Sequence, residues 1–175
     1  MTALEPSRHP STDKRIEHAF DILHYNQNLI QFADSKANTL IVINSIALAS
    51  TAASSAGVPL MGALKIGFML AAVVSIILCL MVVVARSDPP DERARRDLIF
   101  FGDVMSRSSS NAYYYDFTDT KSSIFLEDLL ERNYRVAGIA ERKYRFYRMA
   151  QVATVAACLL WLTHLLISTA LQGLG

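Results

Sequence analysis

The stretch GALKIGFMLAAVVSIILCLMVVVA, Gly62 to Ala85, carries a single formally charged side chain, Lys65. Wound as an α-helix at ~1.5 Å per residue it exceeds the ~30 Å hydrocarbon core of a bilayer. Two further blocks share this character. Asn38 to Ala56 has no ionisable side chain, and Met149 to Leu171 has only His164. In a chain of 175 residues and 19.4 kDa, hydrophobic residues reach 52% and charged residues only 19%. A soluble domain usually carries roughly 25% charge. The mean hydropathy of +0.26 follows from these blocks. The reading is an all-α membrane protein with three transmembrane helices, over 38–56, 62–85 and 149–171.

Orientation follows from Lys and Arg. Of 17 basic residues, four precede the first block (Arg8, Lys14, Arg15, Lys36), one is Lys65, and twelve lie from Arg86 to Arg148. The turn from Gly57 to Met61 and the tail beyond Arg148 have none. The positive-inside rule therefore places residues 1–37 and 87–147 in the cytoplasm and the C-terminus outside. No apolar signal core precedes Ile30, so the N-terminus is expected to be retained. Nucleic-acid binding is disfavoured by a net charge of +1 and a pI near 7.8. The two cysteines, Cys79 and Cys158, fall inside apolar blocks and suggest neither a disulfide framework nor a thiolate metal site.

Polar residues single out the first span. Asn44, Thr51 and Ser55 share one helix face with Ala47. Such a stripe serves either as a close-packing, hydrogen-bonding seam or as a water-facing lining of a pore or defect in a homo-oligomer. The second span, rich in Ile, Leu, Val and Met, reads as lipid-facing. In the third, Trp161 and His164 lie toward the outer end, as an aromatic anchor and a hydrogen-bonded or snorkelling imidazole.

Both flanking cytoplasmic segments read as extensions of membrane helices. Ser11 or Thr12 caps a helix, and Ile16, Phe20, Leu23, Ile30, Ala33 and Ala37 follow helical spacing with no Pro or Gly before Gly57. A second helix starts at Asp88-Pro89-Pro90-Asp91, and 106–121 shows no strong periodicity and reads as a loop. From Ser123, Leu126, Leu129, Val136, Ala140, Tyr144 and Tyr147 form a stripe running into the third span. No one of these helices buries its stripe alone, so a small cytoplasmic bundle is expected.

No nucleophile motif, P-loop or dinucleotide fingerprint is present, so no enzymatic activity and no cofactor are expected. His18, Asp21 and His24 do not converge on a metal, because His24 is turned about 120° from His18 on a helix. A transporter is disfavoured by the absence of an internal repeat and of deep charges. Arg145 and Arg148 abut the third span and suit lipid head groups. Arg135, Arg142 and Lys143 stand further off, as phosphate donors or as salt-bridge partners of Asp128, Glu131 or Glu141.

Three segments resemble one family. They are Phe32-Ala33-Asp34-Ser35-Lys36-Ala37-Asn38 entering the first span, Leu98-Ile99-Phe100-Phe101-Gly102-Asp103 after the second, and Tyr134 to Tyr144 (YRVAGIAERKY) before the third. In this order, over roughly residues 15–170, the chain resembles the transmembrane effectors of bacterial Pycsar anti-phage systems. The resemblance implies a uridylate or cytidylate cyclase partner and activation by a cyclic pyrimidine nucleotide, cyclic CMP (cCMP) or cyclic UMP (cUMP). It further implies inner-membrane damage and cell death before phage spreads. On that footing Asp34, Lys36, Arg135, Arg142 and Lys143 are the candidate ligand residues, since a phosphate needs basic donors on the helices that can move the membrane. The alternative is a membrane scaffold that senses nothing and anchors a cytoplasmic partner.

Overall fold

The computed structural model describes residues 10–52, 59–84 and 98–173, and every regular element among them is an α-helix. The order is α1 (Thr12–Ala52), α2 (Pro59–Val84), α3 (Phe101–Met105), α4 (Ser110–Asp119) and α5 (Ser122–Gln172). At ~1.5 Å per residue the 41 residues of α1 and 51 of α5 give lengths of about 61 and 76 Å. The expected helix start at Asp88 lies outside the described residues, as do residues 53–56 of the first block.

The chain divides into two compact units, Met1–Asn28 with Ser87–Gly138 and Leu29–Arg86 with Ile139–Gly175. Both α1 and α5 contribute to each unit as continuous helices.

The first unit is built as a water-soluble bundle is. Asp13 lies in the first turn of α1, where a carboxylate complements the helix dipole, and the Ser11 carbonyl accepts from the Arg15 amide at 3.1 Å. Ala19, Leu23 and Leu129 are its buried centre, with Ile16, Phe20, Ile99, Leu126 and Val136 packed around them. Asn133, also buried, donates from Nδ2 to the Ala19 carbonyl at 2.8 Å and ties α5 to α1. The segment read as a loop is instead helical over α4. Ser109 is its N-cap, accepting from the Ala112 amide at 3.2 Å, and the Tyr113 hydroxyl donates to the Leu98 carbonyl at 3.1 Å. Local capping and a tertiary hydrogen bond supply what apolar periodicity lacked.

The second unit is assembled in layers. One layer joins Asp34, Val82 and Lys143; another joins Asn44, Ser75 and Thr154. Residue numbers rise together in α1 and α5 and fall in α2, so α1 and α5 run parallel and α2 antiparallel to both. Ala33, Ala37, Cys79, Val82, Tyr147 and Ala150 form one apolar cluster, and Phe68, Ala72 and Ala157 a second. Outward-facing side chains on α2 and α5 are as apolar as the interior: Leu70, Val74, Ile77, Val84, Val152, Leu159 and Leu166 are all exposed. A soluble protein does not leave such a surface uncovered. Helix α2 and the apolar stretch of α5 are each long and apolar enough to cross a membrane.

Candidate functional site

The polar centre of the second unit lies where the sequence is least polar. Ser75 is the one hydroxyl between Gly62 and Ala85, and it is fully buried. It faces Thr154 on α5 with 2.6 Å between the hydroxyl oxygens, and its Oγ donates to the Ala150 carbonyl at 3.2 Å. Asn44 on α1, 2% exposed, donates from Nδ2 to Thr154 Oγ1 at 3.0 Å, to Ser75 Oγ at 3.2 Å and to the Leu40 carbonyl at 2.8 Å. A polar group without a partner in an apolar medium costs several kcal/mol, so each member holds the others in place. Thr51 is likewise buried, its hydroxyl donating to the Ala47 carbonyl at 2.9 Å, and Ser55 lies outside the described residues.

About ten residues away along α1, or ~15 Å, lies a second polar contact. Lys143 on α5 is 4% exposed, and its ammonium donates to Asp34 Oδ1 at 2.6 Å and to the Val82 carbonyl at 2.7 Å. Val82 is in the last turn of α2, where carbonyls lack helical partners and a cation complements the dipole. The Asp34 side chain keeps about a third of its surface exposed.

Of the five residues read from sequence as ligand contacts, Asp34 and Lys143 are thus brought together and engage each other. Lys36 is exposed, its ammonium 4.4 Å from the centre of the Phe32 ring. Arg142 is half-buried and engaged in an interaction of its own. Arg135, in the first unit, pairs with Glu131 one turn earlier on α5. Ser75 and Thr154 were not singled out by sequence; the signal available was a lone hydroxyl in an otherwise aliphatic span.

The first unit contains a cavity of about 340 Å³ lined by Leu98, Arg107, Asp116, Asp119, Thr120, Ile124 and Asp128. The Arg107 side chain is almost wholly buried there. Its Nε donates to Asp116 Oδ2 at 2.8 Å, its Nη1 to the Asp103 carbonyl at 2.7 Å, and its guanidinium lies 5.3 Å from the Tyr113 ring centre. Three carboxylates against one guanidinium favour hydrogen-bond donors over free anions. Among the described residues no His, Cys, Asp and Glu cluster is placed to hold a metal ion.

Comparison with known proteins adds one finding. No curated protein and no solved structure matches significantly. A family model described as the Pycsar effector protein domain matches residues 18–169, which takes in all of α2, α3 and α4 and nearly all of α1 and α5. The chain therefore belongs to the Pycsar effectors, antiviral-defence proteins associated with the membrane that accompany a cyclic-nucleotide-producing partner system and are not a known enzymatic family.

Proposed function

We propose that this protein is a signal-gated membrane effector: it binds cCMP or cUMP made by a partner uridylate or cytidylate cyclase and then impairs the inner membrane, ending the infection with the cell. The observation that carries this reading is the continuity of α1 and α5, each of which belongs to both units. A change of helix packing in the first unit has a covalent route into the second without any intervening loop. A ligand moves such an equilibrium by its differential affinity for the two packings.

In this reading α1, α2 and α5 each span the inner membrane, with the N-terminus and residues 87–147 cytoplasmic and the C-terminus outside. Asn44, Ser75 and Thr154 then lie at depth: Ser75 is nine residues from the end of α2, roughly 14 Å into a ~30 Å hydrocarbon layer. Closed, these groups satisfy one another; separated, in one chain or between copies in a homo-oligomer, they would admit water. The candidate cations for the cyclic phosphate are Arg135 in the first unit and, separately, Lys36 and Arg142 in the second, where Lys143 is already engaged with Asp34.

Calorimetric titration of the detergent-purified chain tests the reading, with cCMP and cUMP as ligands and cyclic AMP as control. Micromolar or tighter binding of one pyrimidine, and none of cyclic AMP, is expected. Absence of binding by folded protein would favour the scaffold alternative. Unchanged binding in Lys36→Ala, Arg135→Ala and Arg142→Ala variants would reject the residue assignment.

A further inference from the structure

The Lys143 contact has more reach than a local salt bridge. One ammonium serves two acceptors on two other helices, so α1, α2 and α5 share a single tie through Asp34, Val82 and Lys143. We propose that this contact is an autoinhibitory latch: it holds the membrane helices in their closed packing, and its release lets the Asn44–Ser75–Thr154 layer come apart. The proposal rests on the reading of the chain as a membrane-impairing effector.

Energetics favour a switching role over a purely structural one. Burying an ammonium costs several kcal/mol, and buried ion pairs are often no more stable than aliphatic side chains of the same volume. A helix seam that needed only strength would do as well with Leu or Met at these positions. What an ion pair adds is dependence on its partner: with the Asp34 charge removed, the enclosed Lys143 ammonium is left without its counter-charge and the packing that buries it becomes unfavourable.

The rest of the seam has little with which to compensate. In a bilayer, lipid tails are as apolar as the helices, so close packing and polar contacts carry association. Here most of the fully buried residues are small, Ala33, Ala37, Ala72, Ala150 and Ala157 together with Ser75 and Cys79, with Phe68 and Val82 the larger ones among them. Close contact of short side chains depends on fine alignment of the helices, and the two polar layers fix that alignment at two depths.

The latch is also reachable. Lys143 is enclosed, but Asp34 is partly exposed, so water or a hydrogen-bond donor can reach the carboxylate without first reaching the buried ammonium. A change in helix packing that withdraws Asp34 from Lys143 strips α1 and α5 of their mutual charge contact. The Val82 carbonyl then loses its donor when Lys143 follows into solvent.

The test uses the full chain in phosphatidylethanolamine–phosphatidylglycerol vesicles holding a self-quenched dye. Vesicles bearing the native sequence should stay sealed until cCMP or cUMP is added. Asp34→Asn and Lys143→Met should leak without nucleotide, with basal rates raised roughly 5- to 150-fold, the span of ordinary coupling between sites. A complementary variant carries Ala37→Cys and Ala150→Cys, both in the cluster beside the latch, in a Cys79→Ala, Cys158→Ala background. Oxidised, it should stay sealed with nucleotide present, and dithiothreitol should restore leakage.

Latch variants that retain native helix content yet seal as tightly as the native chain would overturn the proposal. So would an oxidised cysteine pair that still leaks on nucleotide addition. If the latch variants leak while the native chain ignores both pyrimidine nucleotides, the latch stands and the cyclic-nucleotide reading falls.

Discussion

The two units solve the same packing problem with opposite materials. In the first, α1 meets α5 through Leu23, Phe20, Leu126 and Leu129, side chains large enough to draw stability from leaving water. In the second, the same α1 turns Ala33 and Ala37 toward its neighbours and then Asn44. One helical stripe therefore changes its chemistry along its length while keeping its spacing. In the proposed topology water would surround the first unit, where apolar area is the adhesive, and lipid the second, where close packing and hydrogen bonds take over.

The contrast predicts where truncation hurts most. Leu129→Ala removes a fully buried aliphatic from the first unit and should cost about 2–5 kcal/mol. Its signature is faster hydrogen exchange over residues 16–23, with the second unit little changed. In the second unit the sensitive change is polar. Ser75→Ala combined with Thr154→Ala leaves the Asn44 amide without its two inter-helix acceptors and should cost about 1–3 kcal/mol, read by unfolding in mixed micelles. If the hydroxyl pair is silent there, the two units do not differ in kind.

Smaller effects sharpen the picture. Ser109→Ala removes the cap of α4 and should weaken it by about 1 kcal/mol, seen as loss of exchange protection over 110–119. Gly138, where the first unit ends within α5, has open space for a Cβ. Gly138→Ala should therefore stabilise the helix by about 0.5–1 kcal/mol, detected as a raised unfolding midpoint.

Some of this is written plainly in the sequence. Helix α2 and the apolar part of α5 follow from uninterrupted hydrophobic runs, and the length of α1 from the lack of Pro or Gly between Ser11 and Gly57. Asn44 stands out because an amide in an apolar span must find partners. Helix α4 is hidden, since its order depends on the Ser109 cap and on the Tyr113 hydroxyl meeting the Leu98 carbonyl. The latch is hidden for a different reason. Asp34 reads as a charge at the membrane surface and Lys143 as one further from the bilayer; 109 positions separate them and no local rule pairs them. Arg135, by contrast, finds Glu131 one turn away, as helical spacing anticipates.

A native reporter lies within the seam. Cys79 is fully buried on α2 between Ser75 and Val82, packed with Ala33, Ala37 and Ala150, while Cys158 is partly exposed. Labelling of Cys79 by a charged maleimide, in the Cys158→Ala chain reconstituted in vesicles, tests directly whether the helix seam opens. The account predicts protection at rest and labelling once cCMP or cUMP triggers leakage. Leakage with Cys79 still protected would contradict it, because the membrane would then be breached without parting α1, α2 and α5.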